Sequence, residues 1–149
     1  MKGVKVFAGI DIGKEKHFMS LIRKDGEVRH SEIRIPNSKE GFEEKFEMLK
    51  STGTEKEVAV GMEPTGHYWK ALGYYLHKKG FRVYLVYSFG IHTLCQWIYP
   101  YYVRLSKEMR DNSQRKTDKK DSNLIAYLLR EGKFLNSKFL VGFYEELRR

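Results

Sequence analysis

A chain of 149 residues that is 41% hydrophobic has the size and apolar fraction of one globular domain with a real core. Its 28 Lys and Arg against 19 Asp and Glu leave a formal charge of +9, which points to a polyanionic partner, nucleic acid first among them. No apolar run approaches the roughly 20 residues that span a bilayer and no signal-peptide pattern follows Met1-Lys2-Gly3, so a cytoplasmic location without membrane attachment is expected.

The single cysteine, Cys95, excludes an internal disulfide. With only His92 near it there is nothing like a Cys-rich zinc site, and it reads as a partly buried structural thiol.

The first element is the apolar run at residues 4–13. Val4, Val6, Phe7, Ala8 and Ile10 read as a buried strand that ends in Gly9-Ile10-Asp11-Ile12-Gly13. A carboxylate at the end of a buried strand calls for explanation, because an unpaired buried charge is costly. Glycines on both sides let backbone or ligand come close, as an acid holding a metal or phosphate requires. The plainer reading is that Asp11 opens a turn and Gly13 supplies its positive φ. The run from His17 to Arg23 and residues 27–35 then read as two strands around Asp25-Gly26, a favoured two-residue hairpin turn. Pro36 stops the third strand. Asn37 with Glu40 three residues on resembles a capping box for a helix with the apolar face Phe42, Phe46 and Leu49, which ends near Ser51-Thr52-Gly53.

Val58-Ala59-Val60-Gly61-Met62 is a short apolar strand that again ends in a carboxylate, Glu63, and Pro64 prevents its continuing. Trp69, Leu72 and Leu76, with Tyr68 and Tyr75, recur at helical spacing, and Gly80 closes that helix as a C-cap does. Residues 81–86 form a fifth strand. A three-stranded meander followed by helix, strand, helix and strand predicts an α/β fold: a mixed five-stranded sheet covered by helices, with parallel, right-handed last crossovers.

Residues 88–102, with Trp97, Tyr99, Tyr101 and Tyr102 around Pro100, read as a loop or a helical excursion. Their rings either stack on bases or pack on the core or on another domain, the packing role being preferred. Residues 104–120 hold seven basic residues against three acids. Lys116-Thr117-Asp118-Lys119-Lys120-Asp121 then leads into Leu124, Ile125, Leu128 and Leu129, which mark a helix. At 3.6 residues per turn Asp118 and Asp121 share a face that Ile125 and Leu128 continue. Capping and the helix dipole account for one such acid, and only one cap is needed.

If the first and fourth strands are neighbours and the late helix packs across them, Asp11, Glu63, Asp118 and Asp121 converge. Four close carboxylates repel one another unless divalent cations neutralise them. Hard oxygen ligands suit Mg²⁺ or Mn²⁺, and two such ions roughly 4 Å apart activate a water or hydroxyl and steady the leaving oxygen of a phosphodiester. Lys116, Lys119 and Lys120, with Arg110 and Arg115, are candidates for holding backbone phosphates.

Gly9-Ile10-Asp11-Ile12-Gly13-Lys14, Met62-Glu63-Pro64-Thr65-Gly66-His67-Tyr68 and Lys116-Thr117-Asp118-Lys119-Lys120-Asp121, in this order, resemble the N-terminal domain of the DEDD transposases of insertion-sequence family one hundred and ten. The resemblance covers nearly the whole chain. It implies a ribonuclease H-like fold close to the RuvC Holliday-junction resolvases, with Asp11, Glu63, Asp118 and Asp121 as the acidic tetrad that binds Mg²⁺. It further implies metal-dependent cleavage and transfer of DNA as an insertion sequence moves, and similarity to recombinases guided by an element-encoded structured RNA.

The full-length protein is expected to be a homo-oligomer with a second, C-terminal domain bearing a serine nucleophile. Residues 1–149 lack that domain and break off in what reads as mid-helix, and such a domain alone can be inert. Two positions depart from the family pattern and spare the tetrad: Ser88-Phe89 stands where Asn-Pro often follows the fifth strand, and Ser122 where alanine is usual after the last acid.

Thr65, His67 and Tyr68 are candidates for lining the site. His67 either orients a phosphate or water or is a satisfied structural histidine, the second being preferred. Gly9-Ile10-Asp11-Ile12-Gly13 also resembles the first phosphate loop of actin-like ATPases and sugar kinases, but the second phosphate loop and the glycine-rich adenosine motif of that class are missing. A stand-alone Holliday-junction resolvase is a further reading, and so is a non-catalytic nucleic-acid-binding or oligomerisation module built on residues 97–120.

Overall fold

The computed structural model describes residues 1–63, 67–86 and 118–134, the first four of the last stretch through their backbone alone. The expectations for Thr65, Cys95, the aromatic residues of 88–102, the basic residues Arg110, Arg115 and Lys116, and the chain's final residues fall outside this range.

The elements run β1 (Val6–Ile12), β2 (Lys16–Arg23), β3 (Val28–Pro36), α1 (Lys39–Thr52), β4 (Val58–Met62), α2 (Trp69–Lys78), β5 (Arg82–Leu85) and α3 (Asp118–Arg130). They build one five-stranded sheet in the order β3-β2-β1-β4-β5. β1 and β2 are antiparallel, as are β2 and β3; β4 runs parallel to β1, and β5 parallel to β4. The meander therefore supplies one half of the sheet and the two crossovers the other, and β1 and β4 are neighbours.

Both faces of the central strands are covered, which is why β1 and β4 read as continuous apolar runs rather than as alternation. Val6, Ala8, Ile10 and Ile12 join Val58, Val60, Met62, Val83 and Leu85 in a core closed by Leu49 of α1 and by Trp69, Leu72 and Leu76 of α2. On the other face Phe7, Ala59 and Tyr84 pack against Leu124, Ile125, Leu128 and Leu129 of α3. Burial of each of these four α3 side chains contributes about 1.5–3 kcal/mol, enough to hold a helix that opens with Asp118-Lys119-Lys120-Asp121.

Three local readings are corrected. The hairpin connection is three residues long: the Gly26 N–H donates to the Arg23 carbonyl at 2.9 Å and the Arg23 N–H to the Glu27 carbonyl at 2.8 Å. Gly26, at φ 95°, supplies the left-handed residue that follows such a turn and keeps the strand twist. The cap of α1 is Ser38, extended at φ −150°, whose hydroxyl accepts from the Gly41 N–H at 3.1 Å. Asn37 is otherwise engaged, its carboxamide donating to the Lys14 carbonyl at 2.8 Å to tie the β1–β2 turn. Gly13 is not in the left-handed region; a side chain there would run into the Lys16 carbonyl. Gly80 closes α2 as expected, the Phe81 N–H donating back to the Leu76 carbonyl at 3.1 Å. Among the described residues no helix is long and apolar enough to cross a membrane.

Candidate active site

The parallel ladder of β1 and β4 pairs Gly9 with Gly61 and Ile10 with Met62. Asp11 and Glu63 are the next residues on the two strands, so they sit side by side at the carboxyl ends of adjacent strands. The face on which they stand follows from the two glycines. A Cβ on Gly9 would collide with the Ser122 carbonyl and the Ala126 backbone, and one on Gly61 would meet Leu129 and Val86. Odd positions of both strands therefore look toward α3, and alternation puts Asp11 and Glu63 on that side. Asp11 is half-buried and Glu63 is 8% exposed.

The direction of α3 is set by its contacts. Ser122 lies against Gly9 and Ser20 near the middle of β1 and β2, while the Arg130 guanidinium donates through Nε to the Lys24 carbonyl at 3.0 Å, beyond the start of β1. The helix thus runs opposite to β1 and brings its first turn to the end where Asp11 lies. Position 118 is four residues before Ser122, about 6 Å along the axis. Asp11 is two residues past Gly9, about 7 Å along the strand. The first turn of α3, to which positions 118 and 121 belong, accordingly begins level with Asp11. The side chains of Asp118, Lys119, Lys120 and Asp121 are outside the described residues.

Polar ties hold this turn in place. The Ser20 and Ser122 hydroxyls are 2.6 Å apart and fully buried, and the Ser20 hydroxyl accepts from the Glu32 N–H at 3.0 Å. Glu32 sits at φ 64° in a bulge of β3 opposite Ser20. The neighbouring Ser31 hydroxyl accepts from the Asn123 carboxamide at 2.9 Å. Reasoning from the sequence missed this group. Its one signal is a serine at an inward position of an apolar strand, between Met19 and Leu21. Ser122 makes the bond from the α3 side.

Of the remaining candidates, Tyr68 is half-buried against the core beneath α2. His67 is exposed, its ring 4.3 Å from that of Tyr68. Among the described residues no three His, Cys, Asp or Glu side chains gather closely enough to hold a metal ion. A cavity of about 330 Å³ lined by Met1, Val4, Phe7 and Phe134 lies at the opposite end of β1, away from the two acids.

A mixed sheet of this order, flanked by helices on both faces and bearing carboxylates at the ends of its first and fourth strands, defines an α/β domain of the ribonuclease H-like class. The family pattern of DEDD transposases of the IS110 type, described as transposase, matches residues 8–149, and the chain belongs to that family. Among curated proteins none matches it.

Proposed function

We propose that this domain carries the metal-dependent centre with which an insertion-sequence transposase cleaves and transfers DNA strands. The observation that carries the reading is the adjacency of Asp11 and Glu63 on the face where α3 brings in its first turn. Two carboxylates of neighbouring strands, with two more in that turn, make an all-oxygen donor set that fits Mg²⁺ or Mn²⁺. Asp11, Glu63, Asp118 and Asp121 would hold the ions, which when bound activate the attacking hydroxyl and neutralise the leaving oxygen.

The chain's own part is positional. The β1–β4 ladder fixes the spacing of the first two acids. Burial of Glu63 strengthens its electrostatic interactions. The N-terminal amides of α3 offset negative charge that collects there. Lys116, Lys119, Lys120, Arg110 and Arg115 would neutralise backbone phosphates. A guide RNA and a second copy of the protein are further partners on this reading.

The test is calorimetric titration of Mn²⁺ into the chain and into Asp11→Ala, Glu63→Ala and Asp121→Ala variants at low ionic strength. Saturable binding that is lost in all three is expected. Binding left unchanged by the substitutions overturns the metal centre and moves the assignment to a non-catalytic nucleic-acid module.

A further inference from the structure

Asp11 belongs to a row that crosses the sheet. It pairs with Phe18 of β2, and Phe18 pairs with Arg34 of β3. Glu63, Asp11, Phe18 and Arg34 therefore stand at one level on four adjacent strands, on the face that carries α3. Lys16, two residues before Phe18 and so on the same face, lays its ammonium 5.6 Å from the centroid of the Phe18 ring. Phe18 is buried at 5% exposure, whereas Arg34 is exposed and Lys16 is half-buried.

These two cations stand apart from the exposed Lys and Arg that already serve an acid. Lys5 pairs with Glu57, and Arg23 with Asp25 and Glu27. Glu15 and Glu32 are the acids nearest to Lys16 and Arg34 in the chain. Among the described residues no carboxylate reaches ion-pairing distance of either cation. Strands are about 4.8 Å apart, so the Arg34 backbone lies about 10 Å from that of Asp11, on the order of three base-pair steps of duplex DNA.

We propose that Lys16 and Arg34 form a phosphate-binding contact for the DNA backbone, on the β3 side of the row that leads to Asp11 and Glu63. This rests on the reading of those acids as the reaction centre. The commonest other use of a charged residue on an edge strand is to discourage edge-to-edge pairing. That use predicts self-association on its removal and no effect on nucleic-acid binding.

The experiment is fluorescence anisotropy of a labelled duplex DNA, in EDTA, across a series of potassium chloride concentrations. It compares the wild-type chain, K16Q/R34Q, and K24Q/R29Q, which removes the same charge at the far, hairpin end of β2 and β3. Circular dichroism checks that each variant is folded. Removing one cation from a phosphate lowers the slope of log K against log salt by about 0.9. K16Q/R34Q is therefore expected to lose about 1.8 of that slope, and K24Q/R29Q much less.

An unchanged slope in K16Q/R34Q, or an equal loss in both double variants, overturns the proposal. So does an RNA of the same sequence whose slope alone responds, which would transfer the binding to RNA. Absence of DNA binding by the wild type overturns it as well, and Mn²⁺ titration of the same preparation then reports separately whether the acid centre stands.

Discussion

His17 and Lys45 are sealed between β2 and α1, on the face of the sheet away from Asp11. Both are fully buried, and neither His17 ring nitrogen nor the Lys45 ammonium has a hydrogen-bond partner among the described residues. The Lys45 Nζ lies 5.2 Å from the centroid of the Phe42 ring, on which His17 also stacks. Burial first, and the Lys45 charge second, push the His17 pKa down from 6.5 to about 3, with the Gly13 backbone opposing weakly. Burial lowers Lys45 from 10.5 to about 8 against the pull of Glu44. Between pH 6.5 and 3 the unfolded chain therefore takes up a proton at His17 that the folded chain refuses, so stability falls as the pH drops through that window. Between pH 8 and 10.5 the same asymmetry at Lys45 makes stability rise with pH. The slope contributed by each group approaches about 1.4 kcal/mol per pH unit. Urea-unfolding midpoints measured across these ranges should show a flatter acid limb in His17→Leu and no alkaline rise in Lys45→Met, and curves parallel to wild type would refute the assignment. Lys45 lies in the stripe of Phe42, Phe46 and Leu49, so its inward position was legible in the helical spacing. The burial of His17 was not, because strand alternation names a face without saying what covers it.

At the scale of elements, α3 is docked through main-chain contact. Ala at position 9 would drive its Cβ into the Ser122 carbonyl and the Ala126 backbone, which cannot move without the helix. At Gly61 the nearest atoms are side-chain ones, Val86 Cγ2 at 3.0 Å and Leu129 Cδ2 at 3.1 Å, which have more freedom to yield. Gly9→Ala is expected to cost about 1–3 kcal/mol and to weaken Mn²⁺ binding. Gly61→Ala should cost less and leave the metal affinity near wild type. Thermal unfolding and calorimetry of the pair check this, and equal losses in both would remove the special role of position 9. Gly9 was marked in the sequence as a point of close approach, but one strand cannot say which element approaches. The order of the elements was readable because apolar period, glycines and prolines agree along residues 4–86. The shifted cap at Ser38 and the longer hairpin turn differ from expectation by a residue each, where two good candidates stand next to each other and a tertiary bond, Asn37 to Lys14, decides between them. The bulge at Glu32 had no mark at all, since its left-handed residue is not a glycine.

For the whole molecule, the proposed centre makes the charge distribution decide how metal and DNA would depend on each other. A chain with net charge +9 attracts polyanions from a distance, yet Asp11 and Glu63 repel a phosphate that comes within about 8 Å of them. In EDTA, Asp11→Asn should therefore bind duplex DNA about threefold more tightly than wild type. With Mg²⁺ present the wild type should gain affinity and the variant should not. Equal affinities in both conditions would mean that the strand does not pass the acids.

Ser20 and Ser122, whose hydroxyls touch, are separated by 102 residues of chain. Closing a loop of that length adds little to its free-energy cost but delays its formation, since contacts distant in sequence form late. The strands that carry Asp11 and Glu63 can pair as soon as residues 1–63 have left the ribosome, and they then present two acids and no more. The first turn of α3 reaches them only after the 54 residues at 64–117 have also been synthesised. A nascent chain thus holds only the Asp11 and Glu63 half of the acid set proposed above, and chain growth itself delays the moment at which that set is complete.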